Sequence, residues 1–389
     1  MATPKPAIPA AAHDHLARVF AQFPIEITRA DDVWLTTSDG RRILDLYGGH
    51  AVAALGYGHP RWIAALEHQA RQVLFQSNAV PMDVRTRAAA KLVEFAALPL
   101  DTVFFVNSGA EANENALKVA CKLTGRDHVV AIENGFHGRT AASSAVTWGA
   151  AAKWYGFPRT PFDVTFVPRR DTSAIAAAVT TRTAAVIVEP VQGMGGAFDM
   201  GRDYLQALRS RCDEVGAKLI FDEVQCGMGR TGHPFAANLY GVHPDLLTTA
   251  KALGAGFPVG ALLLSPAIAA TLKYDDLGTT FGGGPMAAAV VEAVIDAIVE
   301  ERLLENVRRI STLIRETCVV GPVTGTQGAG FLLGLRTTRP AKEVQTELLA
   351  QDILAGTSAD PHIVRLLPPY TLSSGHVELL RAALSRIRP

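Results

Sequence analysis

The segments AKLIFDEVQ (217–225) and DLLTTAKALGAGFPVGA (245–261) each carry a short apolar run next to a charged residue. Asp222 ends the first run and Lys251 follows the second, and each run has the length of a buried strand. A charge at the end of a core strand costs stability unless something there needs it. Because open parallel sheets bind ligands at the carboxyl ends of their strands, the pair predicts a site at that edge. A buried ion pair, or two unrelated charges, would explain these two residues alone equally well.

The region around these segments alternates short apolar runs with helix-period stretches, which predicts an α/β fold with a mostly parallel sheet flanked by helices. Two predicted helices have apolar stripes of period 3.6, with Ala112, Ala116, Val119, Ala120 and Leu123 in one and Leu205, Leu208, Cys212 and Val215 in the other. The predicted strands are Val103–Val106, His128–Ile132, Ala184–Val188, Leu219–Phe221, Leu246–Thr249 and Ala261–Leu264.

The pattern changes after about Met286 to long helices, which are followed by the strand-like segments Val323–Thr326 and Gly330–Leu335 and by a last helix near Val377–Arg386. This change predicts a second, smaller α+β domain. We expect residues 61–285 to form the large domain, residues 21–60 and 286–389 the small domain, and residues 1–20 a flexible, Pro-rich arm.

Composition narrows the possible functions. The chain has 389 residues, 48% of them hydrophobic, and a formal net charge of zero, so neither nucleic acid nor an anionic membrane is expected as a partner. The most apolar stretch, 286–299, is interrupted by Glu292 and Asp296, and no signal core is visible at the start. The four cysteines lack metal-ligand spacing, so we expect no metal site and a reducing, cytoplasmic location.

The motif NSGAEAN (107–113) lies where a predicted strand gives way to a helix. Its small residues Ser108, Gly109 and Ala110 leave the first helical N–H groups open to an anion, and the helix dipole favours a phosphate there. An ordinary N-cap followed by Glu111 would explain the Ser and the Glu, but not the Gly and the Ala.

Four further segments contain residues suited to binding. In NGFHGRT (134–140), Phe136 can stack on a flat ring and Arg139 can bind a carboxylate with its planar fork. In VEP (188–190), Glu189 is another carboxylate at a strand end. RLLPP (365–369) begins with Arg365, and LGTTFGGGP (277–285) offers the hydroxyls of Thr279 and Thr280. Taken singly, each could be a packed loop residue or a surface group.

Asp222 and Lys251 together suit one cofactor in particular. A lysine that bonds to an aldehyde and an aspartate that pairs with a pyridinium nitrogen are the two protein groups that pyridoxal phosphate (PLP) chemistry requires.

In sequence, the chain resembles the class III (ornithine-type) PLP-dependent aminotransferases, most closely their acetylornithine aminotransferase group. The resemblance runs from about Leu44 to Leu380 and departs from the commoner pattern between Ala141 and Phe166, a stretch with Trp148, Trp154 and Tyr155. The motifs that carry it, in the family's order, are LDLYGGHAVAALGYGHP, NSGAEANENALKVA, FHGRT, VEPVQG, FDEVQCGMGRTG and TTFGGGP. It implies the type I fold of PLP-dependent transferases and a homodimer whose active sites are shared between subunits.

The resemblance also implies roles for individual residues. Lys251 would bond to the cofactor and shuttle protons, and Asp222 would pair with the ring nitrogen. Phe136 and Val224 would lie on the two faces of the ring, Gln225 near its hydroxyl, and Thr280 would reach the phosphate from the neighbouring subunit. The full cofactor-binding set is Ser108, Gly109, Ala110, Phe136, Asp222, Glu223, Val224, Gln225, Lys251 and Thr280.

For the substrate, the resemblance assigns Arg365 to the α-carboxylate of glutamate and Arg139 to its distal carboxylate. Glu189 would cover Arg365 when an ω-amine is the donor, since a buried unpaired arginine is costly, and Thr279 would lie near the substrate. The predicted reaction moves the δ-amino group of N-acetylornithine to 2-oxoglutarate in arginine biosynthesis by a ping-pong mechanism. Succinylornithine, ornithine, 4-aminobutyrate and a carrier-bound lysine precursor remain alternatives, as does a PLP-binding module without activity.

Overall fold

A computed structural model of the chain describes residues 15–389. Residues 1–14 of the predicted arm (1–20) lie outside the described residues. From residue 15 to residue 20 the chain is exposed and forms neither helix nor strand.

The described residues contain seventeen strands. In chain order they are β1 (Ile27–Asp31), β2 (Trp34–Thr37), β3 (Arg42–Asp45), β4 (Thr102–Val106), β5 (His128–Ile132), β6 (Asp163–Val167), β7 (Thr183–Val188), β8 (Val191–Gln192), β9 (Phe198–Asp199), β10 (Lys218–Asp222), β11 (Leu246–Thr249), β12 (Gly260–Leu264), β13 (Val323–Ala329), β14 (Leu332–Thr337), β15 (Ile353–Leu354), β16 (Gly356–Thr357) and β17 (Ile363–Leu366).

Fourteen α-helices complete the described part of the chain, together with a single 3₁₀ turn at Lys251–Leu253. They are α1 (Gly48–Ala51), α2 (Pro60–Gln72), α3 (Asp83–Ala96), α4 (Gly109–Thr124), α5 (Ala141–Ala145), α6 (Ala150–Lys153), α7 (Thr172–Ala178), α8 (Arg202–Val215), α9 (Ala236–Tyr240), α10 (Pro266–Ala269), α11 (Pro285–Glu300), α12 (Leu303–Thr317), α13 (Ala341–Ala350) and α14 (Ser374–Arg386).

The large sheet has seven strands in the order β4-β12-β11-β10-β7-β5-β6. Strand β12 runs antiparallel to both of its neighbours, and the other neighbouring pairs are parallel. The prediction of an α/β fold with a mostly parallel sheet is therefore confirmed.

Helices cover both faces of this sheet because its central strands are apolar on both sides. Strand β7 is buried along its whole length: Ala185 and Ile187 pack in the cluster under α4, whereas Val186 and Val188 pack in the cluster that contains α8. Helix α4 begins where the Ser108 hydroxyl accepts a hydrogen bond from the Glu111 amide, and it ends at Gly125, whose φ of 66° suits glycine. These contacts fix the helix start at the carboxyl edge of the sheet.

Two four-stranded sheets lie outside the large sheet. One is antiparallel with the order β13-β14-β17-β16, and in the other β15 pairs with β3 of the β1-β2-β3 meander. This pairing joins the two segments, 21–60 and 286–389, that the sequence assigned to one small domain. Helix α11, assigned to the same domain, packs on α2 and α3 of the predicted large domain. None of the helices described between residues 15 and 389 is both long enough and apolar enough to span a membrane.

Candidate active site

Asp222 and Lys251 lie at the same edge of the large sheet. Asp222 is the last residue of β10, and its Cα pairs with that of Thr248 on the parallel neighbour β11, three residues before the lysine. Lys251 has a φ of 47°, a left-handed conformation that is uncommon for a residue with a Cβ and that occurs often at functional sites. The carboxyl edge of the large sheet, predicted from segments 217–225 and 245–261, therefore carries both charged side chains.

A cavity of about 620 Å³ opens at this edge. Its wall combines the start of α4, the loop after β5, the ends of β7, β10 and β11, and the segment around α1. The predicted site residues in the wall are Ser108, Gly109, Ala110, Phe136, Arg139, Glu189, Asp222, Val224, Gln225 and Lys251.

The Asp222 carboxylate is held by three neighbours at the base of the cavity. Its Oδ2 lies 2.7 Å from His137 Nδ1 and accepts a 2.7 Å hydrogen bond from Asn113 Nδ2, and its Oδ1 accepts from the Val224 amide at 3.0 Å. Thr248 Oγ1 donates to Asn113 Oδ1 at 2.6 Å, which fixes the amide with its NH₂ toward the carboxylate. A carboxylate with this many donors is oriented firmly and stays available to a cationic partner.

The amine of Lys251 lies in a poorly solvated position. Burial lowers its pKa, and the nearby carboxylates of Asp222 and Glu189 oppose that change. A lower pKa raises the fraction of neutral amine, which is the form that attacks an aldehyde and accepts a proton.

The start of α4 forms an anion site in the cavity wall. The amides of Gly109 and Ala110 donate to no atom among residues 15–389, whereas the next two amides bond to Ser108. A Cβ at Gly109 would lie 2.6 Å from Val224 Cγ1, so the glycine permits the helix start to approach the loop after β10. Free N–H groups at a helix N-terminus suit a phosphate.

Phe136 and Arg139 enter the cavity from the loop after β5. The Phe136 amide donates to Glu189 Oε1 at 2.9 Å, and this contact ties the loop to the end of β7. Arg139 is exposed in the cavity, and its guanidinium carbon lies 4.7 Å from the ring centre of Trp154. The site therefore offers one flat aromatic ring and one accessible cation on the same loop.

Arg365 lies behind the wall on β17 and is buried. Its Nε donates to the Thr357 carbonyl at 2.6 Å, and its Nη1 donates to Gln225 Oε1 at 3.4 Å. Burial lowers its pKa, but a guanidinium remains charged at neutral pH. Gln225 thus separates Arg365 from the cavity in this structure.

Glu189 does not form an ion pair with Arg365 among the described residues. Its two carboxylate oxygens accept instead from the amides of Phe136 and Gly193, at 2.9 and 3.0 Å. Burial raises the pKa of Glu189. The direct cover of Arg365 that the resemblance implied is absent here, and Gln225 takes that position.

Besides Arg365, three predicted site residues lie outside the cavity wall of the described chain. The carboxylate of Glu223 accepts hydrogen bonds from the amides of Ala236 and Ala237 and caps α9, so its side chain is not directed at the cavity. Thr279 accepts from the Gly282 amide at 3.0 Å, and Thr280 is exposed. Thr279 also accepts from Asn107 Nδ2 at 3.4 Å, but neither threonine is part of the cavity wall of its own protomer.

Comparison with known proteins gives this arrangement a family. A profile of the class-III aminotransferases matches residues 16–387. The chain belongs to the class-III aminotransferase family. The acetylornithine aminotransferase of Methanocaldococcus jannaschii is 37% identical over 385 residues, covering 95% of this class-III aminotransferase and 95% of the relative. That of Streptomyces coelicolor is 42% identical over 368 residues, covering 93% and 90%.

Among solved structures, the class-III aminotransferase is similar to an ornithine aminotransferase from Toxoplasma gondii that is described with partial occupancy of PLP at its active site. The TM-score is 0.89 at 26% identity, and the match covers 96% of this chain and 91% of that one. The predicted type I fold and the prediction of a PLP-dependent transaminase are confirmed.

The cavity of this class-III aminotransferase fits PLP on its own geometry. The unpaired amides of Gly109 and Ala110 suit the phosphate, the partly desolvated amine of Lys251 suits the aldehyde, and the braced carboxylate of Asp222 suits a protonated ring nitrogen. When bound, PLP supplies an electron sink for the substrate carbon that loses its proton.

Sequence reasoning missed the two residues that hold Asp222. Asn113 closes the quoted motif NSGAEAN one helical turn after Gly109, so it faces the same way, and this spacing was a usable signal. His137 follows Phe136 in a loop whose path the sequence does not specify. His50, also in the wall, was not assigned either; desolvation there, helped by the charges of Arg365 and Lys251, lowers its pKa to about 4. His50 is therefore neutral at pH 7, and the positive charge in this part of the site belongs to Arg365.

Proposed function

We propose that this enzyme transfers the δ-amino group of N-acetylornithine to 2-oxoglutarate, giving N-acetylglutamate semialdehyde and glutamate, in the cytoplasm as a step of arginine biosynthesis. The observation that carries the proposal is the presence of two arginines, Arg139 and Arg365, around a single reactive lysine, Lys251. The names of the relatives from M. jannaschii and S. coelicolor support the same donor.

In the proposed mechanism, each cavity residue has one task. The Gly109 and Ala110 amides would bind the phosphate, and Phe136 and Val224 would hold the ring between them. Asp222, braced by Asn113 and His137, holds a proton at the ring nitrogen. Ser108, another residue of the cofactor-binding set, accepts from the Glu111 amide with its hydroxyl oxygen and can still donate its O–H to the phosphate.

Lys251 performs the proton transfers in this proposal. With PLP bound, its amine would take the proton from the substrate carbon and deliver it to the carbon of the cofactor that carried the aldehyde, so it would serve as base and then as acid. The lowered pKa suits both steps because proton transfer is fastest when the pKa of the catalytic group approaches the working pH.

Substrate recognition follows from the positions of the two arginines. Glutamate and 2-oxoglutarate carry two carboxylates, which Arg365 and Arg139 would bind at either end. N-acetylornithine has no carboxylate beside its reacting carbon, so Arg365 needs another partner when this donor is bound. Arg139 then binds the far carboxylate of the donor, and Thr279, like Thr280, would come near the substrate of a second subunit.

Gln225 and Glu189 are the two side chains that could occupy Arg365 during the donor half-reaction. Gln225 does so in this structure. We propose that Glu189 takes over by releasing the amides of Phe136 and Gly193, and that glutamate displaces whichever group covers the arginine. The exchange is favoured because a charged arginine left buried and unpaired is costly.

The proposal includes a homodimer with shared active sites. Thr280 lies outside its own cavity, so it would bind phosphate only in a second subunit. Beside it, the exposed rings of Phe75 and Phe281 form an apolar surface suited to a partner. Their ring centres lie 5.2 Å apart. The division into a large domain (61–285) and a small one (21–60 and 286–389) is part of the same proposal.

The proposal is tested by measuring the two half-reactions separately in Glu189→Ala, with Glu133→Ala as a carboxylate control outside the cavity wall. Glu189→Ala should slow the half-reaction with N-acetylornithine far more than the one with glutamate, while the control leaves both unchanged. The wild-type enzyme should prefer N-acetylornithine over ornithine, succinylornithine and 4-aminobutyrate. An unchanged preference in Glu189→Ala would remove the switch, and a different best donor would remove the substrate.

A further inference from the structure

Arg139 is the accessible cation of the cavity, and Trp154 fixes its position. Among residues 15–389 the guanidinium donates no hydrogen bond and forms no ion pair, and its carbon lies 4.7 Å from the centre of the Trp154 ring. A long side chain on an exposed loop would otherwise sample many rotamers.

The contact leaves the binding groups of Arg139 free. A guanidinium that stacks on an aromatic ring uses its flat face, so its N–H donors still point outward in the plane of the fork. That edge is what binds a carboxylate with two parallel hydrogen bonds. Trp154 thus restricts the arginine without competing with a substrate.

Trp154 is itself held in place by the sequence around it. Its Nε1 donates to the hydroxyl of buried Ser144 at 3.2 Å, and its amide donates to the Ala150 carbonyl at 2.9 Å. Its ring centre lies 6.5 Å from that of Phe136 with an interplanar angle of 50°. The indole therefore connects the ring proposed to stack on PLP with the arginine proposed to bind the far carboxylate.

We propose that Trp154 is a positioning residue that presents Arg139 to the distal carboxylate of the substrate. It thereby sets the preference of this enzyme for substrates with a second carboxylate at the far end. The proposal rests on the function proposed above, because it takes Arg139 as the distal carboxylate site. Trp154 lies in the stretch 141–166, where the sequence departs from the commoner family pattern.

The chain provides a matched control on the same loop. Trp148 is 41% exposed and packs edge-on against Phe166 with ring centres 5.1 Å apart, so it contributes aromatic packing without touching Arg139. Trp148→Ala thus removes an indole of the same size from the same region. Trp154→Phe keeps an aromatic face but lacks the Nε1 donor that anchors the ring to Ser144.

The experiment measures equilibrium binding to the PLP-loaded protein, by calorimetry, of two unreactive acids. Glutarate has a carboxylate at both ends, and valerate is the monocarboxylate of the same chain length. Trp154→Ala should weaken glutarate binding about three- to tenfold, the range expected for loss of one cation–π contact. Valerate binding should stay unchanged, Trp154→Phe should fall between, and Trp148→Ala should match the wild type.

A double-variant comparison separates this role from a general structural one. In an Arg139→Met background, Trp154→Ala should have no further effect on glutarate. Equal weakening of both acids, no weakening of either, or the same loss in the Arg139→Met background would overturn the role of Trp154. If Arg139→Met leaves glutarate binding unchanged, then the proposed distal carboxylate site fails as well, and that result is distinct from failure of Trp154 alone.

Discussion

At the scale of single residues, the site depends on how the protein treats two charged groups at strand ends. Lys251 is desolvated, which lowers the pKa of its amine, whereas the Asp222 carboxylate is held in one orientation by three hydrogen-bond donors. The same cavity thus holds a desolvated amine and an oriented carboxylate, the two protein groups that chemistry on bound PLP requires.

The lowered pKa of Lys251 predicts a pH dependence for the protein without cofactor. Below its pKa the amine is protonated and does not attack an aldehyde, so reaction should rise with pH and level off below the ordinary lysine pKa of 10.5. Brief reductive methylation at a series of pH values, followed by peptide mapping, measures the midpoint. Exposed Lys273 serves as the internal control. Equal midpoints for the two lysines would contradict the assignment.

The brace on Asp222 predicts the effect of His137→Phe. This change keeps a buried ring but removes a hydrogen bond to a carboxylate, an interaction of about 1.5–3 kcal/mol. We expect kcat to fall about ten- to a hundredfold, with little change in KM, because the ring of His137 acts through its hydrogen bond to Asp222. Steady-state kinetics checks this, and circular dichroism confirms that the variant is folded. A variant with wild-type kcat would show that Asn113 and Val224 suffice.

The sequence identified the chemistry of these residues better than their contacts. Charges after apolar runs pointed to Asp222 and Lys251 because such positions are costly without a function. Glu223 follows Asp222 directly, but consecutive residues at a strand end point in opposite directions, and the Glu223 carboxylate caps α9. The brace formed by His137 depends on the path of a loop, and no periodic pattern reports that path.

At the scale of elements, helix starts and strand ends form the site. Helix α4 presents two free amides to the cavity. In the short helix α9, by contrast, the first two amides donate hydrogen bonds to the Glu223 carboxylate. The alternation of apolar runs was enough to predict the sheet and α4. It could not show that β12 runs antiparallel, since an antiparallel core strand has the same buried, apolar composition.

The cap on α9 predicts a pH-dependent stability. Burial raises the pKa of Glu223 to about 7, from 4.5 for an ordinary glutamate, although the two amides oppose this change. The folded state therefore binds a proton more tightly than the unfolded state. The contribution of Glu223 to the free energy of unfolding is fully present below pH 4.5 and is lost as the pH rises through about 7.

Glu223→Gln should lack this loss because an amide does not titrate. At about 1.4 kcal/mol for each unit by which the two pKa values differ, the loss amounts to a few kcal/mol. Denaturant unfolding of both proteins between pH 4.5 and 8 measures it. Parallel pH curves for the two proteins would show that Glu223 is charged in the folded state at acid pH.

At the scale of the whole molecule, the proposed cofactor site requires a second subunit. The cavity wall of one protomer holds most of the predicted cofactor contacts but not Thr280, which is exposed next to Phe281. Resemblance across several motifs implied this dimer, whereas composition and periodicity gave no sign of it. Exposed apolar side chains become visible only once the fold shows which apolar residues the core leaves out.

The proposed dimer predicts the effect of a charge at Phe281, which is 64% exposed in the single subunit. Phe281→Asp should give a monomer with weakened PLP binding, because burying an unpaired carboxylate in an apolar interface is costly. Leu379→Asp is the matched control, since Leu379 is 47% exposed on α14. Analytical ultracentrifugation and PLP titration provide the readouts. A dimeric Phe281→Asp protein with normal PLP affinity would place the interface elsewhere.

Lys251 is the residue proposed to hold the cofactor. Borohydride reduction of the PLP-loaded protein, followed by protease digestion and mass spectrometry of the pyridoxyl-labelled peptide, tests this assignment. We expect one stoichiometric label on Lys251 and none in Lys251→Ala. A label on another lysine of the wild-type protein, or a protein that takes up no PLP, would contradict it.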